Sequence, residues 1–180
     1  MDRIKLHDKY FKKYIPYEKI EKEIARVAEQ LNKDMKEVDT PIFLSVLSGS
    51  FMFTADLMKK IDFQCDITFV KLSSYCGTSS TGEVKEIMGL SKNVEGRSIV
   101  IVEDIVDTGT TIEELVKILK EKGVAEIKVC TLMFKPDSYK KEIKIDYVAM
   151  EIPNDFIVGF GLDYDQLGRQ YKDIYIIDDK

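Results

Sequence analysis

Apolar residues recur along the chain with two different spacings, and stretches of the two kinds alternate. The first helical pattern follows Pro16, and a proline fits there because the first turn of a helix leaves its N–H groups without a partner anyway. Its apolar positions are Ile20, Ile24, Val27 and Leu31. Compact or alternating apolar runs, which are typical of strands, stand between the helical stretches. They are IFLSVL (42–47), DITFVKL (66–72), SIVIVED (98–104), EIKVCTLMF (126–134), DYVAMEI (146–152) and YIIDD (175–179).

Two further helical patterns separate these strands. One runs through Phe53, Leu57 and Ile61, and the other, IEELVKILKEKG (112–123), is amphipathic and ends at Gly123. Glycine is common directly after the last residue of a helix. Strands that alternate with helices predict an α/β domain with a mainly parallel central sheet flanked by helices. In such sheets ligands bind at the carboxyl ends of the strands, so we expect the site at that edge.

The longest polar interruption covers residues 73–90. Gly77, Gly82 and Gly89 stand there among serines and threonines. Long connections in compact domains are usually functional or mobile, and the alternative is a passive surface loop.

Composition narrows the classes of protein that the chain can belong to. The 180 residues suit one compact domain, residues 1–180, and 44% hydrophobic with 33% charged residues is ordinary for a globular chain. A formal net charge of −5 argues against a nucleic-acid partner. No apolar run approaches the roughly 18 residues of a membrane helix. The polar start, MDRIKLHDKYFKKY, lacks the core of a signal peptide, so no membrane partner is expected.

The cysteines and the histidine exclude further classes of site. Cys65, Cys76 and Cys130 are odd in number and widely spaced, which fits neither a disulfide framework nor a zinc site and indicates a reducing cytoplasm. His7 is the only histidine and lies outside every periodic segment. We predict a surface position for it, so that catalysis relies on other groups.

The segment IVIVEDIVDTGTT (99–111) carries the most informative chemistry. A buried strand delivers two adjacent carboxylates, Glu103 and Asp104, and a small hydroxyl-rich turn, 107–111, then enters a helix. The N–H groups at a helix start are unpaired and the helix dipole adds partial positive charge, so such a turn suits a phosphate. The carboxylates suit ribose hydroxyls and magnesium. The combination predicts a site for a sugar phosphate with its metal.

Three other interpretations of these motifs fail. Asp-Thr-Gly alone is a common turn and is also found in aspartic proteases, but those place it in all-β surroundings, whereas here a helix pattern follows. A P-loop requires Gly-Lys-Ser/Thr, which is absent. Gly159-Phe160-Gly161 begins like a dinucleotide fingerprint, yet Tyr164 stands in place of the third glycine and no helix pattern follows. These interpretations are excluded.

The segment VIVEDIVDTGTT (100–111) resembles the phosphoribosyl-pyrophosphate signature of the type I phosphoribosyltransferases. LSGSFMFTADL (47–57) is similar to the first, pyrophosphate-binding loop of that family, and KLSSYCGTSSTGEVK (71–85) to its flexible closing loop. LMFKP (132–136) and EIPNDFIVGFGLDYDQLGR (151–169) look like base-binding segments of the hypoxanthine-guanine branch. The matches follow the order of the family and span residues 15–177.

This resemblance implies a fold, an activity and an assembly. The fold is the type I phosphoribosyltransferase fold, with a small hood subdomain from the N-terminal segment and about 153–180, and a flexible closing loop. The activity is purine salvage: transfer of the 5-phosphoribosyl group from phosphoribosyl pyrophosphate to N9 of hypoxanthine or guanine, giving IMP or GMP and pyrophosphate, with Mg²⁺. The resemblance also implies a homodimer or homotetramer.

The resemblance assigns roles around the sugar phosphate. Asp107 would accept the proton of N7 of the base, which a carboxylate within hydrogen-bond reach can do. The 5-phosphate would be held by the amides and hydroxyls of Asp107, Thr108, Gly109, Thr110 and Thr111. The ribose hydroxyls would be held, directly or through magnesium, by Glu103 and Asp104. The pyrophosphate contacts would be Ser48, Gly49 and Arg169, and the metal contacts Glu103, Asp104 and Asp163.

It also assigns roles around the base. Lys135 would donate to the 6-oxygen of the purine, and since an ammonium has donors only, it suits a 6-oxo group and not the amino group of adenine. Phe156 would stack on the purine ring, and Ile157 and Asp163 would contact its 2-position, through main-chain carbonyls. The alternatives are a surface lysine for Lys135 and a core aromatic for Phe156, and a surface salt bridge for Arg169.

The closing loop and one departure complete the resemblance. Ser74 and Tyr75 would close over the reacting centre, because water would hydrolyse a cation forming at the ribose. Ser48 stands where many family members carry a basic residue, so it brings no charge to the pyrophosphate, although main-chain N–H groups remain. In the family the peptide between the residues matching Leu47 and Ser48 can be cis.

Two alternatives to hypoxanthine-guanine salvage stay open. One is a regulatory protein that keeps the phosphoribosyl-pyrophosphate pocket as a sensor and binds nucleic acid, which the acidic chain and the retained Lys135 and Phe156 disfavour. The other is the same chemistry with a different base, such as xanthine or a pyrimidine.

Overall fold

The computed structural model describes residues 2–73, 86–90 and 92–178. Its elements, in chain order, are β1 (Arg3–Leu6), β2 (Lys9–Ile15), α1 (Tyr17–Met35), β3 (Ile42–Val46), α2 (Phe51–Met58), β4 (Asp66–Ser73), β5 (Glu86–Met88), β6 (Ser98–Val106), α3 (Thr110–Glu121), β7 (Glu126–Phe134), β8 (Tyr147–Glu151), β9 (Ile157–Val158) and β10 (Ile174–Ile177).

The central sheet has the strand order β5-β4-β3-β6-β7-β8. Strands β4, β3, β6, β7 and β8 run parallel, and β5 pairs antiparallel with β4. The inner strands are apolar along their length because both faces are covered, as in parallel sheets generally. The prediction of an α/β domain with a mainly parallel sheet is confirmed.

Helices cover the two faces of this sheet. Helices α1 and α2 lie on one face and contribute, with Phe43 and Val100, to one hydrophobic cluster. Helix α3 lies on the other face and packs with Leu44 and Ile101. Neighbouring strand residues thus point to opposite faces, as the pleat requires. In the described part of the chain, no helix is both long and apolar enough to cross a membrane.

A second, antiparallel sheet has the order β1-β2-β10-β9 and was not predicted as a unit. Its strands β1 and β2 bury Ile4, Leu6 and Phe11 while lysines alternate with them. The sheet joins the N-terminal segment to residues 157–177. These are the segments that we expected to form a hood, and the division into hood and core stays a prediction.

Several element boundaries differ from the predicted ones. Strand β6 continues to Val106, so Glu103 and Asp104 lie inside the strand, where Glu103 pairs with Thr131. Helix α3 begins at Thr110 because the turn before it is shorter than the apolar pattern indicated. Helix α2 ends at Met58, before Ile61. Part of the predicted loop 73–90 forms strand β5, because its backbone pairs with β4.

Candidate active site

Strand β6 carries two enclosed carboxylates, a buried Glu103 and a partly buried Asp104. Glu103 is 5% exposed. Burial and the neighbouring Asp104 carboxylate raise the pKa of Glu103 well above its ordinary value. Burial also raises the pKa of Asp104, although the amide of Ile105 donates to its Oδ1 at 2.8 Å. The two acids therefore lie where hydrogen-bond donors or a cation are needed to hold them ionised.

The turn that follows β6 forms a small cradle at the start of α3. Gly109 is the N-cap of the helix and adopts the left-handed conformation, with φ +84°. The hydroxyls of Thr108 and Thr110 lie 3.2 Å apart, and both side chains are exposed. A cleft of about 90 Å³ is lined by Glu103 and by residues 105–112. The start of the helix, whose first amides have no partner within the helix, and the two hydroxyls thus lie beside one small volume.

Lys135 and Asp107 lie opposite each other at the end of β7 and β6. The Nζ atom of Lys135 donates to Oδ2 of Asp107 at 3.0 Å. The amide of Lys135 also donates to the carbonyl of Val106, at 3.0 Å, which extends the pairing of the two strands past their ends. The side chain of Lys135 is 11% exposed, so it is not the surface residue of the alternative interpretation.

The loop between β3 and α2 places Gly49 against the acids of β6. A Cβ built on Gly49 would lie 1.5 Å from Oδ2 of Asp104, so no other residue fits without displacing that carboxylate. The Leu47–Ser48 peptide is cis, and Ser48 is exposed. Below the loop, buried hydroxyls join β3 to α2. They are those of Ser45, Ser50 and Thr54, with Ser45 2.7 Å from each of the other two.

Arg169 connects the segment after β9 with this loop. Its Nη2 lies 2.8 Å from Oδ1 of Asp163, and its Nη1 donates to the carbonyl of Gly161 at 2.8 Å. Gly161 in turn lies against Gly49, since a Cβ at Gly161 would be 2.0 Å from the carbonyl oxygen of Gly49. The charge of Arg169 also acts to lower the pKa of Asp104 against the effect of burial. Arg169 thus forms a salt bridge, as the alternative of a surface salt bridge proposed, but this salt bridge lies among the residues of the site.

Phe156 stands in a group of aromatic side chains. Its ring centroid lies 6.0 Å from that of Phe11 and 5.7 Å from that of Tyr164, which meets it edge-on. At 44% exposure Phe156 is not a core aromatic. Ile157, next to it, is buried and pairs with Ile176 in the second sheet. Phe156 is thus partly accessible, as a stacking platform for a flat ring requires.

Comparison with known proteins decides the family. A family model described as phosphoribosyl transferase domain matches residues 13–165. The chain belongs to the phosphoribosyltransferase family. Among its relatives, the hypoxanthine-guanine phosphoribosyltransferase of Streptococcus pyogenes serotype M3 is 49% identical over 140 residues, which are 77% of each chain. That of Bacillus subtilis is 39% identical over 164 residues, 91% of each chain.

Solved structures agree with this assignment. The crystal structure of a hypoxanthine phosphoribosyltransferase from Staphylococcus aureus superposes with a TM-score of 0.83 at 34% identity, covering 93% of this chain and 91% of that one. The predicted type I phosphoribosyltransferase fold is thereby confirmed.

In this phosphoribosyltransferase, the described residues bring part of the predicted site into one chain of contacts. It runs from Lys135 and Asp107 along β6 to Asp104, and through Gly49 and Gly161 to Arg169. The predicted closing residues, Ser74 and Tyr75, lie outside the described residues.

Sequence reasoning did not single out several residues that support the site. Gly161 and Tyr164 lie within the segment 151–169 that resembles a base-binding segment, but the resemblance gives neither residue a role of its own. The sequence assigns no role to Tyr139, whose ring lies against Gly109. A signal existed for Gly161, since the two glycines within the predicted base-binding segment, Gly159 and Gly161, indicate a close approach of backbones. No local pattern indicated Tyr139.

Proposed function

We propose that this phosphoribosyltransferase transfers the 5-phosphoribosyl group of phosphoribosyl pyrophosphate to N9 of hypoxanthine or guanine, in purine salvage. IMP or GMP and pyrophosphate are the products. The names of the S. pyogenes and B. subtilis relatives support the two bases. The observation that carries the proposal is the 3.0 Å contact between Lys135 and Asp107 beside the cradle of residues 108–111.

This contact matches one edge of a 6-oxopurine. The base carries the O6 acceptor and the N7 proton side by side, and the ammonium and carboxylate offer a donor and an acceptor side by side. The base therefore fits with O6 on Lys135 and N7–H on Asp107. Adenine carries an amino group at position 6. This donor would face the ammonium, which also offers only donors, and would be left unpaired in an enclosed place, which is costly.

The reaction then needs little beyond positioning. N9 forms a bond to C1 of the ribose while the bond from C1 to the pyrophosphate oxygen breaks, and the N7 proton passes to Asp107. The amides and hydroxyls of 107–111 hold the 5-phosphate, and Glu103 and Asp104 hold the ribose hydroxyls. Ser48 and Gly49, with Arg169, bind the pyrophosphate, and Phe156 stacks on the base. Ile157 and Asp163 contact its 2-position, and Ser74 and Tyr75 close over the site.

Magnesium fits this arrangement through the chemistry of its donors. Glu103 and Asp104 are hard carboxylate oxygens next to one another, and Mg²⁺ favours such ligands together with substrate oxygens and water. Asp163 is the third candidate, and it pairs with Arg169. Among residues 2–73, 86–90 and 92–178, no three His, Cys, Asp or Glu side chains are grouped to hold a metal by themselves. When bound, the ion neutralises charge on the pyrophosphate.

The wider organisation is proposed on the same basis. Residues 1–180 act as one phosphoribosyltransferase domain in the cytoplasm, with the second sheet as its hood and a homodimer or homotetramer as its assembly. The close approach of Gly161 to Gly49 supports a single domain. It fixes the segment between β9 and β10 onto the loop between β3 and α2 of the central sheet.

Nucleotide formation tests the proposal. The chain is incubated with phosphoribosyl pyrophosphate, Mg²⁺ and hypoxanthine, guanine, xanthine or adenine in separate reactions, and the products are separated by chromatography. Hypoxanthine and guanine are used and adenine is not, and Asp107→Asn lowers kcat by about 100-fold or more, the range of general base catalysis.

Asp39→Asn, an exposed acid before β3, serves as the control and keeps full activity. Full activity of Asp107→Asn would remove its role. Absence of product from both hypoxanthine and guanine would overturn the proposed function.

A further inference from the structure

The ring of Tyr139 lies directly on the backbone of the phosphate cradle. A Cβ built on Gly109 would lie 2.4 Å from Cε2 of Tyr139, 2.8 Å from Cγ of Lys141 and 3.0 Å from Cδ2 of Tyr139, so the ring and the lysine stem together occupy the space that any other residue would need there, with the ring nearest. Gly109 has φ +84°, a conformation that glycine adopts readily, along with many others. The ring therefore bounds one side of a residue that has unusual freedom.

Tyr139 is itself held by groups outside the turn that it contacts. Its hydroxyl donates to the carbonyl of Ile143 at 2.5 Å. Its ring meets that of Phe134, the last residue of β7, edge-on at a centroid distance of 5.2 Å and an interplanar angle of 70°. The position of the ring is thus set by the central sheet and by the segment leading to β8.

The same segment carries Lys135. The amide of Tyr139 donates to the carbonyl of Lys135 at 3.2 Å, which makes a tight turn between the two residues. Lys135 also contacts Asp107, which precedes Gly109 by two residues. The contacts therefore form a closed ring that runs from Gly109 through Tyr139 and Lys135 to Asp107 and back. Removing the aromatic ring of Tyr139 would remove its contact with Gly109 and leave the contact between Lys135 and Asp107 in place.

We propose that Tyr139 is a positioning residue for the sugar phosphate. Its ring keeps Gly109 in the left-handed conformation, and so keeps the amides of 108–111 in the arrangement that receives the 5-phosphate. Without the ring, Gly109 samples other conformations, and ordering it becomes a cost of binding. Tyr139 touches no substrate. The inference rests on the proposed function and deepens it, because it concerns the phosphoribosyl half of the site.

Ring removal and ring retention are compared to test this. In Tyr139→Leu, KM for phosphoribosyl pyrophosphate rises about tenfold, while kcat and KM for hypoxanthine change by less than about threefold, since misplacement acts on the group held by the cradle. In Tyr139→Phe the ring remains, and KM for phosphoribosyl pyrophosphate stays within about threefold of wild type. Calorimetry with IMP gives a readout independent of turnover, and Tyr139→Leu weakens IMP binding about tenfold.

Phe63→Leu is the matched control. Phe63 is half-buried like Tyr139 and packs on Phe43 at 6.1 Å, but it precedes β4, at the end of the sheet away from the site. This variant loses thermal stability as Tyr139→Leu does, and its KM for phosphoribosyl pyrophosphate is unchanged. If Tyr139→Leu does not fold, Tyr139→Met replaces it, because an unbranched side chain fills the gap without the flat contact.

The outcomes separate the inference from the proposed function. An active wild type together with a Tyr139→Leu variant that has unchanged KM and IMP affinity overturns the role of Tyr139 alone. A wild type that neither forms nucleotide nor binds IMP overturns the proposed function and the inference with it. A raised KM for phosphoribosyl pyrophosphate that Tyr139→Phe does not share supports the role of the ring.

Discussion

The α-carbon of Gly161 lies against the carbonyl oxygen of Gly49, so closely that a Cβ at position 161 would be 2.0 Å from that oxygen. Gly49 belongs to the loop between β3 and α2, and Gly161 to the segment between β9 and β10. Arg169 donates to the carbonyl of Gly161, and the carboxylate of Asp104 lies against Gly49. This contact of two backbones therefore joins the proposed pyrophosphate loop, the acids of β6 and the proposed base segment.

Gly161→Ala separates this contact from the effect of backbone conformation. Gly96 is the control, because it also has positive φ, +69°, but a Cβ there meets nothing within 4 Å. Both variants carry a cost of positive φ, which is +99° at Gly161, and Gly161→Ala additionally separates the two backbones. We expect it to be about 2 kcal/mol less stable than Gly96→Ala, and to lose at least about tenfold in kcat/KM.

Thermal unfolding and steady-state kinetics of the two alanine variants measure these effects. Equal losses of stability and activity in both variants would show that the contact between Gly49 and Gly161 does not hold the site together.

Lys135→Met tests base recognition. Methionine keeps much of the length of the side chain but offers no donor to the 6-oxygen, and it removes the partner of Asp107. We expect kcat/KM for hypoxanthine to fall by about 100-fold, and KM for phosphoribosyl pyrophosphate to change by less than about threefold. Lys144→Met, whose lysine is 80% exposed, is the control. A Lys135→Met variant that uses hypoxanthine normally would refute base recognition by this ammonium.

Glu103→Gln tests whether the buried charge of Glu103 lowers the stability of the fold while it supports activity. Because burial raises the pKa of Glu103, the ionised side chain destabilises the folded state, and this cost grows as the pH rises from the unfolded pKa, about 4.3, through the folded pKa. Glutamine cannot ionise. We expect a gain of roughly 1–2 kcal/mol at pH 8 that disappears near pH 4, with at least about tenfold lower kcat/KM.

Urea unfolding of this variant at both pH values gives the free energies, and Glu142→Gln, at an exposed position, is the control. A glutamine variant that is less stable than wild type at pH 8 would contradict the argument.

Asp173 stabilises the start of α1 from a distant part of the chain. It is 4% exposed, accepts from the Tyr17 amide at 2.8 Å, and lies 3.0 Å from Nζ of Lys13. Burial acts to raise its pKa, but the Tyr17 amide and the Lys13 ammonium outweigh burial, and the pKa is lowered. A lowered carboxyl pKa stabilises the fold above the unfolded value, about 3.9, and this is lost as the pH falls through the folded value.

Asp173→Asn is therefore expected to lose about 2 kcal/mol at pH 7. The difference from wild type should shrink as the pH falls below about 4. Chemical denaturation at both pH values measures this, with Asp39→Asn as the control. A difference that does not depend on pH would show that the charge of Asp173 is not what stabilises α1.

The predictable part of the fold is the part with strong local patterns. Strands β3, β6 and β7 are buried on both faces, so their sequences are continuous apolar runs that the pattern analysis finds. Strands β1 and β2 were not predicted, because lysines alternate with their apolar residues and the N-terminal segment therefore has the composition of a polar, irregular segment. Strand β9 has two residues, too few for any period to appear.

The chemistry of β6 and its turn was recognisable because strand, acids, turn and helix follow each other directly. The contacts that hold the site together were not, since they join segments far apart in the chain. Tyr139 reaches Gly109, and Gly161 reaches Gly49, only through the packing of the whole domain. The hydrogen bond from the Lys135 amide to the Val106 carbonyl, beyond the end of β7, likewise depends on the neighbouring strand.

A crystal structure of the chain with IMP tests the central claim most directly. The account predicts the 5-phosphate within hydrogen-bond distance of the main-chain amides of 108–111, O6 of the base on Nζ of Lys135, and the purine ring against Phe156. A nucleotide bound elsewhere, with the turn after β6 making no contact to its phosphate, would contradict the account.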